Sequence, residues 1–184
     1  MLRRFLIILA VVLVALGIWA WMSASSIIRA ERDLEAKFNA VVTHYVDMKL
    51  SYVDPLLRLS SITEQDKAVL TKIGDDLSAL ATANGVDAKH QQLLASQRSI
   101  IQAFTSGVLS EKITIDPHYL EWNTQASNSG KASDLILQYN RALNVYNVGM
   151  RSVIGSLMKH LTKWTNTEYI SIDGKTTDGT IVSF

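Results

Sequence analysis

Ala132–Trp164 reads ASDLILQYNRALNVYNVGMRSVIGSLMKHLTKW. Within it Ile136, Tyr139, Leu143, Tyr146, Met150, Val153 and Leu157 step by 3, 4, 3, 4, 3, 4, and His160 and Trp164 continue the count. Apolar residues at that spacing lie on one face of a helix. A single helix over the whole stretch would be about 50 Å long. So long a stripe is stable in water only against a partner of similar length, and the sequence supplies one upstream. Leu34, Phe38, Val41, Tyr45, Met48 and Tyr52 step by 4, 3, 4, 3, 4, a period of 3.5. Two such stripes predict an all-α fold: an antiparallel bundle of long helices.

Further upstream lies FLIILAVVLVALGIWAWM, Phe5–Met22, which contains no charged residue. At about 1.5 Å per residue this run spans roughly 27 Å, close to the ~30 Å hydrocarbon core of a bilayer. Trp19 and Trp21 stand where an interfacial aromatic belt is expected, and Arg3 and Arg4 precede the run, which favours an N-in, C-out orientation. Arg29, Arg32 and Lys37 on the far flank work against that bias. Ser23-Ala24-Ser25 resembles a signal-peptide cleavage site, but the run is longer than the usual apolar region, and Trp19, Trp21 and Met22 crowd the approach. An uncleaved signal anchor is the expectation. No glycine or proline interrupts Ser23–Asp54, so the membrane helix is expected to continue into the first bundle helix.

The predicted organisation is a short tail at 1–4, a transmembrane anchor at 5–22, a helical bundle at 23–165, and a tail at 166–184. The chain has 184 residues, 18 Lys+Arg, 17 Asp+Glu and no cysteine. Without Arg3 and Arg4 the exported part keeps 16 basic residues against 17 acidic, a net charge of −1. That balance argues against a nucleic-acid partner. The lack of cysteine excludes a disulfide scaffold, a zinc–thiolate site and a cysteine nucleophile.

Between the two long stripes, Asp54-Pro55 is expected to end or kink the first helix, or to start a new one with Asp54 as N-cap. Ser61-Ile62-Thr63-Glu64 reads as a capping box. The second helix turns Leu70, Ile73, Leu77 and Leu80 inward and ends near Asn84-Gly85. A third, from about Asp87 to Thr105, buries Leu94, Ile101, Phe104 and their neighbours and stops at Gly107. Asp116-Pro117 opens a short fourth helix with an Ile115–Leu120 staple. Thr124–Lys131 reads as a loop. In the tail, Tyr169–Ile172 and Thr180–Phe184 flank two Asp-Gly pairs and suggest a small β-hairpin.

Catalytic patterns are weak. His44, His90, His118 and His160 form no H-x-x-x-H or E-x-x-H pair, so no metal site is expected. Ser156-Leu157-Met158-Lys159 matches S-x-x-K, but Ser127-Asn128 precedes it, where a penicillin-binding enzyme needs its S-x-N motif afterwards. Gly130-Lys131-Ala132-Ser133 resembles the end of a phosphate-binding loop but lacks the first glycine and a preceding strand. These are chance matches. Neither an enzyme, nor a cofactor, nor a small-molecule substrate is expected.

The feature that stands out is the pair Tyr139-Asn140 and Tyr146-Asn147. Seven residues turn a helix through about 700°, so both dipeptides share a face within ~20°. Tyrosine contributes apolar area and a hydroxyl needing a partner, and asparagine can hydrogen-bond across an interface. The face therefore reads as a register-setting seam inside the bundle, or as a docking surface for another protein.

The chain resembles the LemA family of bacterial membrane-anchored proteins. The resemblance rests on the order of elements, on Tyr52-Val53-Asp54-Pro55-Leu56-Leu57, which looks like the family's apolar-Pro-x-Leu segment, and on Gln138–Asn147, which looks like its doubled Tyr-Asn motif. It covers nearly the whole chain as a divergent relative. Lys49-Leu50-Ser51 stand where paired arginines belong, Val153-Ile154 lie near the place of an expected proline, and the Pro117–Tyr139 spacing is about a heptad short. The resemblance implies an anchored antiparallel helical bundle without recognised catalytic residues, acting in envelope or membrane organisation. The expected partners are the lipid bilayer through residues 5–22, and a protein or second copy of the chain. The expected location is the bacterial inner membrane, with the bundle on the periplasmic side. Two other readings compete: a periplasmic sensor or adaptor subunit of a signalling complex, and a spanin-like phage lysis accessory.

Overall fold

The computed structural model describes residues 2–59, 62–105, 109, 112, 116–126, 130–164, 168–171 and 176–177. The fold is all-α with one minimal strand pair. Helix α1 runs without interruption from Leu2 to Met48 and passes through a π-helical segment, Lys49–Val53, into α2, Asp54–Leu57. The apolar run and the first bundle helix are thus one continuous rod.

Asp54-Pro55 neither ends this rod nor caps a new helix. Asp54 has helical angles, φ −64 and ψ −40, and its N–H donates to Lys49 O, five residues back. Proline cannot donate to the carbonyl four residues before it and its ring crowds that carbonyl. The wider π turn upstream accommodates both effects, and Lys49 Nζ lies 3.5 Å from Asp54 Oδ1 across it. The π turn also changes which residue faces inward. Leu34, Phe38, Val41, Tyr45 and Met48 are buried as the stripe predicts, but Val53 then replaces Tyr52 in the core. Tyr52, half-buried, instead stacks on Trp122 with ring centroids 6.1 Å apart.

Helix α3 is Glu64–Thr82 and α4 is Val86–Thr105. The N-cap of α3 is Thr63, whose hydroxyl accepts from Asp66 N at 3.1 Å, two residues beyond the expected cap at Ser61. Ser61 itself lies outside the described residues. Leu70, Ile73, Leu77 and Leu80 are all buried, and Gly85, at φ 84, makes the left-handed turn into α4 that favours glycine. On α4 the buried face carries Leu93, Leu94, Ile100, Ala103 and Phe104. Ile101 is only half-buried; Ile100 takes the inner position. The expected stop at Gly107 lies outside the described residues.

Helix α5 is Pro117–Ala126 and α6 is Lys131–Met150. Asp116 Oδ1 accepts from His118 N at 2.9 Å and caps α5. Leu120 is exposed and its expected staple partner Ile115 lies outside the described residues; α5 buries Tyr119 and Trp122. The helix extends through Thr124–Ala126, shortening the predicted loop, and Ser127–Ser129 lie outside the described residues. Trp122 is fully buried, edge-on to Phe104 at 5.0 Å.

The predicted single helix Ala132–Trp164 is broken. Helix α6 ends at Met150, and the six-residue α7, Val153–Met158, follows a sharp corner. Ser152 makes the break: its hydroxyl accepts from Gly155 N at 3.0 Å and donates to Gly149 O at 2.7 Å. The corner closes so tightly that a Cβ on Gly155 would strike the backbone of Gly149 and Met150. Val153 and Leu157, placed inside by the heptad count, are exposed, as is His160.

Phe38 packs on Tyr139, Lys37 Nζ donates to Gln138 Oε1 at 3.2 Å, and Gly149 abuts Ile27, so α6 runs antiparallel to α1. Phe38 meets His90 and Tyr45 meets Gln97, so α4 runs parallel to α1 while α3 folds back on α4. The result is an up–down–up–down bundle in which α6 returns to the level of Ile27. In the tail, β1 (Tyr169–Ile170) pairs antiparallel with β2 (Thr176–Thr177). The second strand therefore begins before the predicted Thr180–Phe184, which lies outside the described residues.

Candidate functional site

The Tyr-Asn repeat lies on α6 where that helix faces α1 and the returning C-terminal segment. Tyr139 and Tyr146 are buried. Tyr139 Oη donates to Glu168 O at 3.3 Å, and Tyr146 Oη donates to Trp164 O at 3.4 Å. Asn140 makes the closest pairing: its Nδ2 donates to Ile170 O at 2.7 Å, and its Oδ1 accepts from Ile170 N at 3.0 Å. The amide thus replaces the strand neighbour that Ile170 would otherwise need. Asn147 is half-buried, and its side chain makes no hydrogen bond among the described residues. The structure therefore brings together Tyr139, Asn140 and Tyr146 around Trp164, Glu168 and Ile170 of the same chain, and leaves Asn147 beside them.

The surroundings are aromatic. Phe38 lies edge-on to Trp164 at 5.3 Å and tilted against Tyr139 at 5.5 Å. Glu31 of α1 receives the backbone N–H groups of Lys163 and Trp164, the latter at 2.9 Å. Two backbone donors on one carboxylate resemble the capping of a helix start, here applied to a chain reversal. Burial pushes the Tyr139 hydroxyl well above its ordinary pKa, with the Glu168 charge adding to the effect; burial likewise raises Tyr146. Both hydroxyls are neutral donors at any physiological pH. This geometry holds a segment in place.

Glu31, His90 and Gln97 carry structure that the sequence did not single out. His90 and Gln97 are buried on α4, seven residues apart, opposite Phe38 and Tyr45 of α1. Gln97 Nε2 donates to Tyr45 Oη at 3.2 Å, and burial pushes that hydroxyl up to about 12. Burial lowers His90 despite the opposing charges of Glu168 and Asp87. The heptad spacing of these two polar residues on the inner face of α4 was the available signal. Asp66, also buried, pairs with Lys112 at 3.4 Å.

Among the described residues no three His, Cys, Asp or Glu side chains are grouped to hold a metal ion. A cleft of about 100 Å³ is lined by Ser51, Tyr52, Pro55, Leu56, Leu59 and His118. Ordinary ligand pockets measure ~300–1,000 Å³. Trp19 and Trp21 are exposed on α1, as are Arg3 and Arg4 and the apolar residues between. This N-terminal part of α1 is long and apolar enough to cross a membrane. Compared with known proteins, the chain matches no family model, and no curated protein or solved structure is significantly similar to it.

Proposed function

We propose that this chain is a non-enzymatic, single-pass membrane protein that organises the bacterial envelope by holding a rigid helical bundle against the membrane and offering it to a protein partner or a second copy. The observation that carries this reading is the unbroken helix from Leu2 to Met48. Its first part is apolar and exposed on all sides, and its second part is the central strut of the bundle. No flexible linker separates them, so tilt or rotation of the anchor passes directly to the bundle. From Met22 to Leu57 the rod extends about 50 Å. The resemblance to the LemA family supports the same role. Arg3 and Arg4 before the apolar run support an N-in orientation in the inner membrane, with the bundle on the periplasmic side.

The test uses the full chain in its membrane. Alkaline extraction should leave it in the membrane pellet, and a reporter fused after Phe184 should be active only outside the cytoplasm. Photo-cross-linkers belong at Val145 and Val148, which are exposed on the outer face of α6, because the Tyr139 and Tyr146 rings are occupied within the chain. A trapped homo-oligomer or single defined partner is expected. A strictly monomeric chain with no cross-linked partner would overturn the organising role.

A further inference from the structure

The most exposed large apolar residues of the bundle lie beside the anchor. Val153 is 73% exposed, Leu157 70% and Leu161 74%, more than any large apolar residue from Phe5 to Ile18 and comparable to Trp21 at 71% and Leu50 at 69%. The three are spaced by four residues, so they form one face of α7 and of the turn that continues it. Gly155 on the other side is buried, and Ile154 and Met158 pack against the core. A soluble surface does not ordinarily gather its largest apolar side chains on one short helical face.

The level of this face along α1 follows from three contacts. Gly149, just before the corner, abuts Ile27, about 7.5 Å along the helix axis from Met22. After the turn, the N–H groups of Lys163 and Trp164 meet Glu31, one further helical turn up. Between them lies α7, which packs against α1. On α1 every side chain from Arg3 to Trp19 is exposed, and cover begins at Ala20, Ser23 and Ala24, the same helical face as Ile27. The corner therefore reaches the end of the apolar run, where a bilayer surrounding residues 5–22 would have its headgroups.

Charge fits the same occupant. From Leu135 to Thr167 the sequence has no acidic residue, and Arg151, Lys159 and Lys163 flank the apolar face, all exposed. A short amphipathic helix with basic flanks beside a hydrophobic one is the composition of an interfacial segment.

We propose that α7 and the turn through Leu161 lie on the membrane surface, with Val153, Leu157 and Leu161 at the headgroup–acyl boundary and Arg151, Lys159 and Lys163 among anionic lipid phosphates. This second attachment, which rests on the anchoring of α1 proposed above, fixes the rotation of the bundle about its anchor. A single helix resists displacement along the membrane normal but not spinning about its own axis; a lateral foot does both.

The absence of cysteine makes the test direct. Single variants Leu157→Cys, Leu161→Cys, Leu13→Cys and Leu120→Cys of the full chain are spin-labelled and reconstituted in vesicles of phosphatidylethanolamine and phosphatidylglycerol. Accessibility to oxygen, which partitions into lipid, is compared with accessibility to a water-soluble nickel chelate. Leu120 on α5 lies near the Tyr52 end of the rod and reads water. The labels at 157 and 161 are expected to give an oxygen-to-nickel ratio several-fold above that at 120 and below that at 13. Replacing phosphatidylglycerol by phosphatidylcholine should lower the ratio at 161. A ratio at 157 and 161 equal to that at 120, with 13 reading lipid, overturns the foot and leaves the anchor standing. Water-like values at 13 as well overturn the anchor itself. Shielding of 157 from both reagents means that protein covers the face, and also overturns the proposal.

Discussion

Asn140→Leu removes both hydrogen bonds to Ile170 while keeping a side chain of similar size. The cost can be worked from the site. Ile170 is buried, and its N–H and C=O pair with Asn140 at 3.0 and 2.7 Å. Leaving a buried backbone group without a partner costs about 1–3 kcal/mol, so two such groups cost about 2–6 kcal/mol, with a ceiling near 6 kcal/mol. The segment need not bear that ceiling, because it can detach and rehydrate. Detachment forfeits burial of the Ile170 side chain, about 1.5–3 kcal/mol, together with the Tyr139–Glu168 bond. The smaller route wins, and local opening of Glu168–Ser171 should become easier by about 2–3 kcal/mol, roughly 30- to 150-fold. Hydrogen exchange by mass spectrometry, on the full chain in bilayers, reads this directly in a peptide covering 164–171. Peptides from α3 should not change. Asn147→Leu is the matched control, since that asparagine makes no side-chain hydrogen bond among the described residues, and it should leave exchange unaltered. Asn140→Asp keeps the acceptor for Ile170 N–H but turns an oxygen toward Ile170 O, so it should lose nearly as much as leucine. If Asn140→Leu and wild type exchange at the same rate in 164–171, the amide does not hold the tail and the reasoning fails.

Gly155→Ala should destabilise by about 2 kcal/mol or more, since its Cβ meets backbone and no flexible side chain can yield; a thermal melt within 1 °C of wild type would refute this. Glu31→Ala should cost about 1 kcal/mol, chiefly through the part-buried N–H of Trp164, because the exposed N–H of Lys163 can turn to water, and Glu31→Gln less, because its carbonyl still accepts; equal melts for the two variants would count against it. Burial lowers the folded pKa of His90 and of His44 below 6.5. The unfolded chain then binds more protons than the folded one just below that pH, so stability present above pH 6.5 should be lost as pH falls through the lowered folded values. His90→Leu should flatten the acid limb of the melting curve below pH 6.5, and an unchanged limb would show that His90 does not resist protonation in the fold.

Helix content and partner choice were legible in the sequence because burial on one helical face imposes a period. Leu34 through Met48 and Ile136 through Tyr146 lie in the core as their spacing predicts. The π segment and the corner at Ser152 were not legible in the same way. Proline at 55 announces a disturbance, but whether the helix stops or widens depends on whether the rod gains enough packing to continue, as it does through Val53 and Leu56. Val153 and Leu157 keep the heptad count in the sequence although the helix has already ended. Both side chains are exposed on α7. Of the Tyr-Asn repeat, the spacing predicted a shared face and hydroxyls needing partners. It did not say that the partners are carbonyls of residues 164 and 168.

By itself, then, the sequence determined what local chemistry controls: an apolar run long enough for a bilayer, helices wherever apolar residues recur at helical spacing, and the exclusion of thiol chemistry by composition. These depend on neighbours within a few residues, and every such neighbour is written in the chain. Tertiary structure decided which polar groups are satisfied and by whom. Asn140 with Ile170, Glu31 with Trp164 and Gln97 with Tyr45 are separated by 30, 133 and 52 residues. A hydrogen bond across such a distance depends on how whole helices stack, and only the folded bundle sets that geometry.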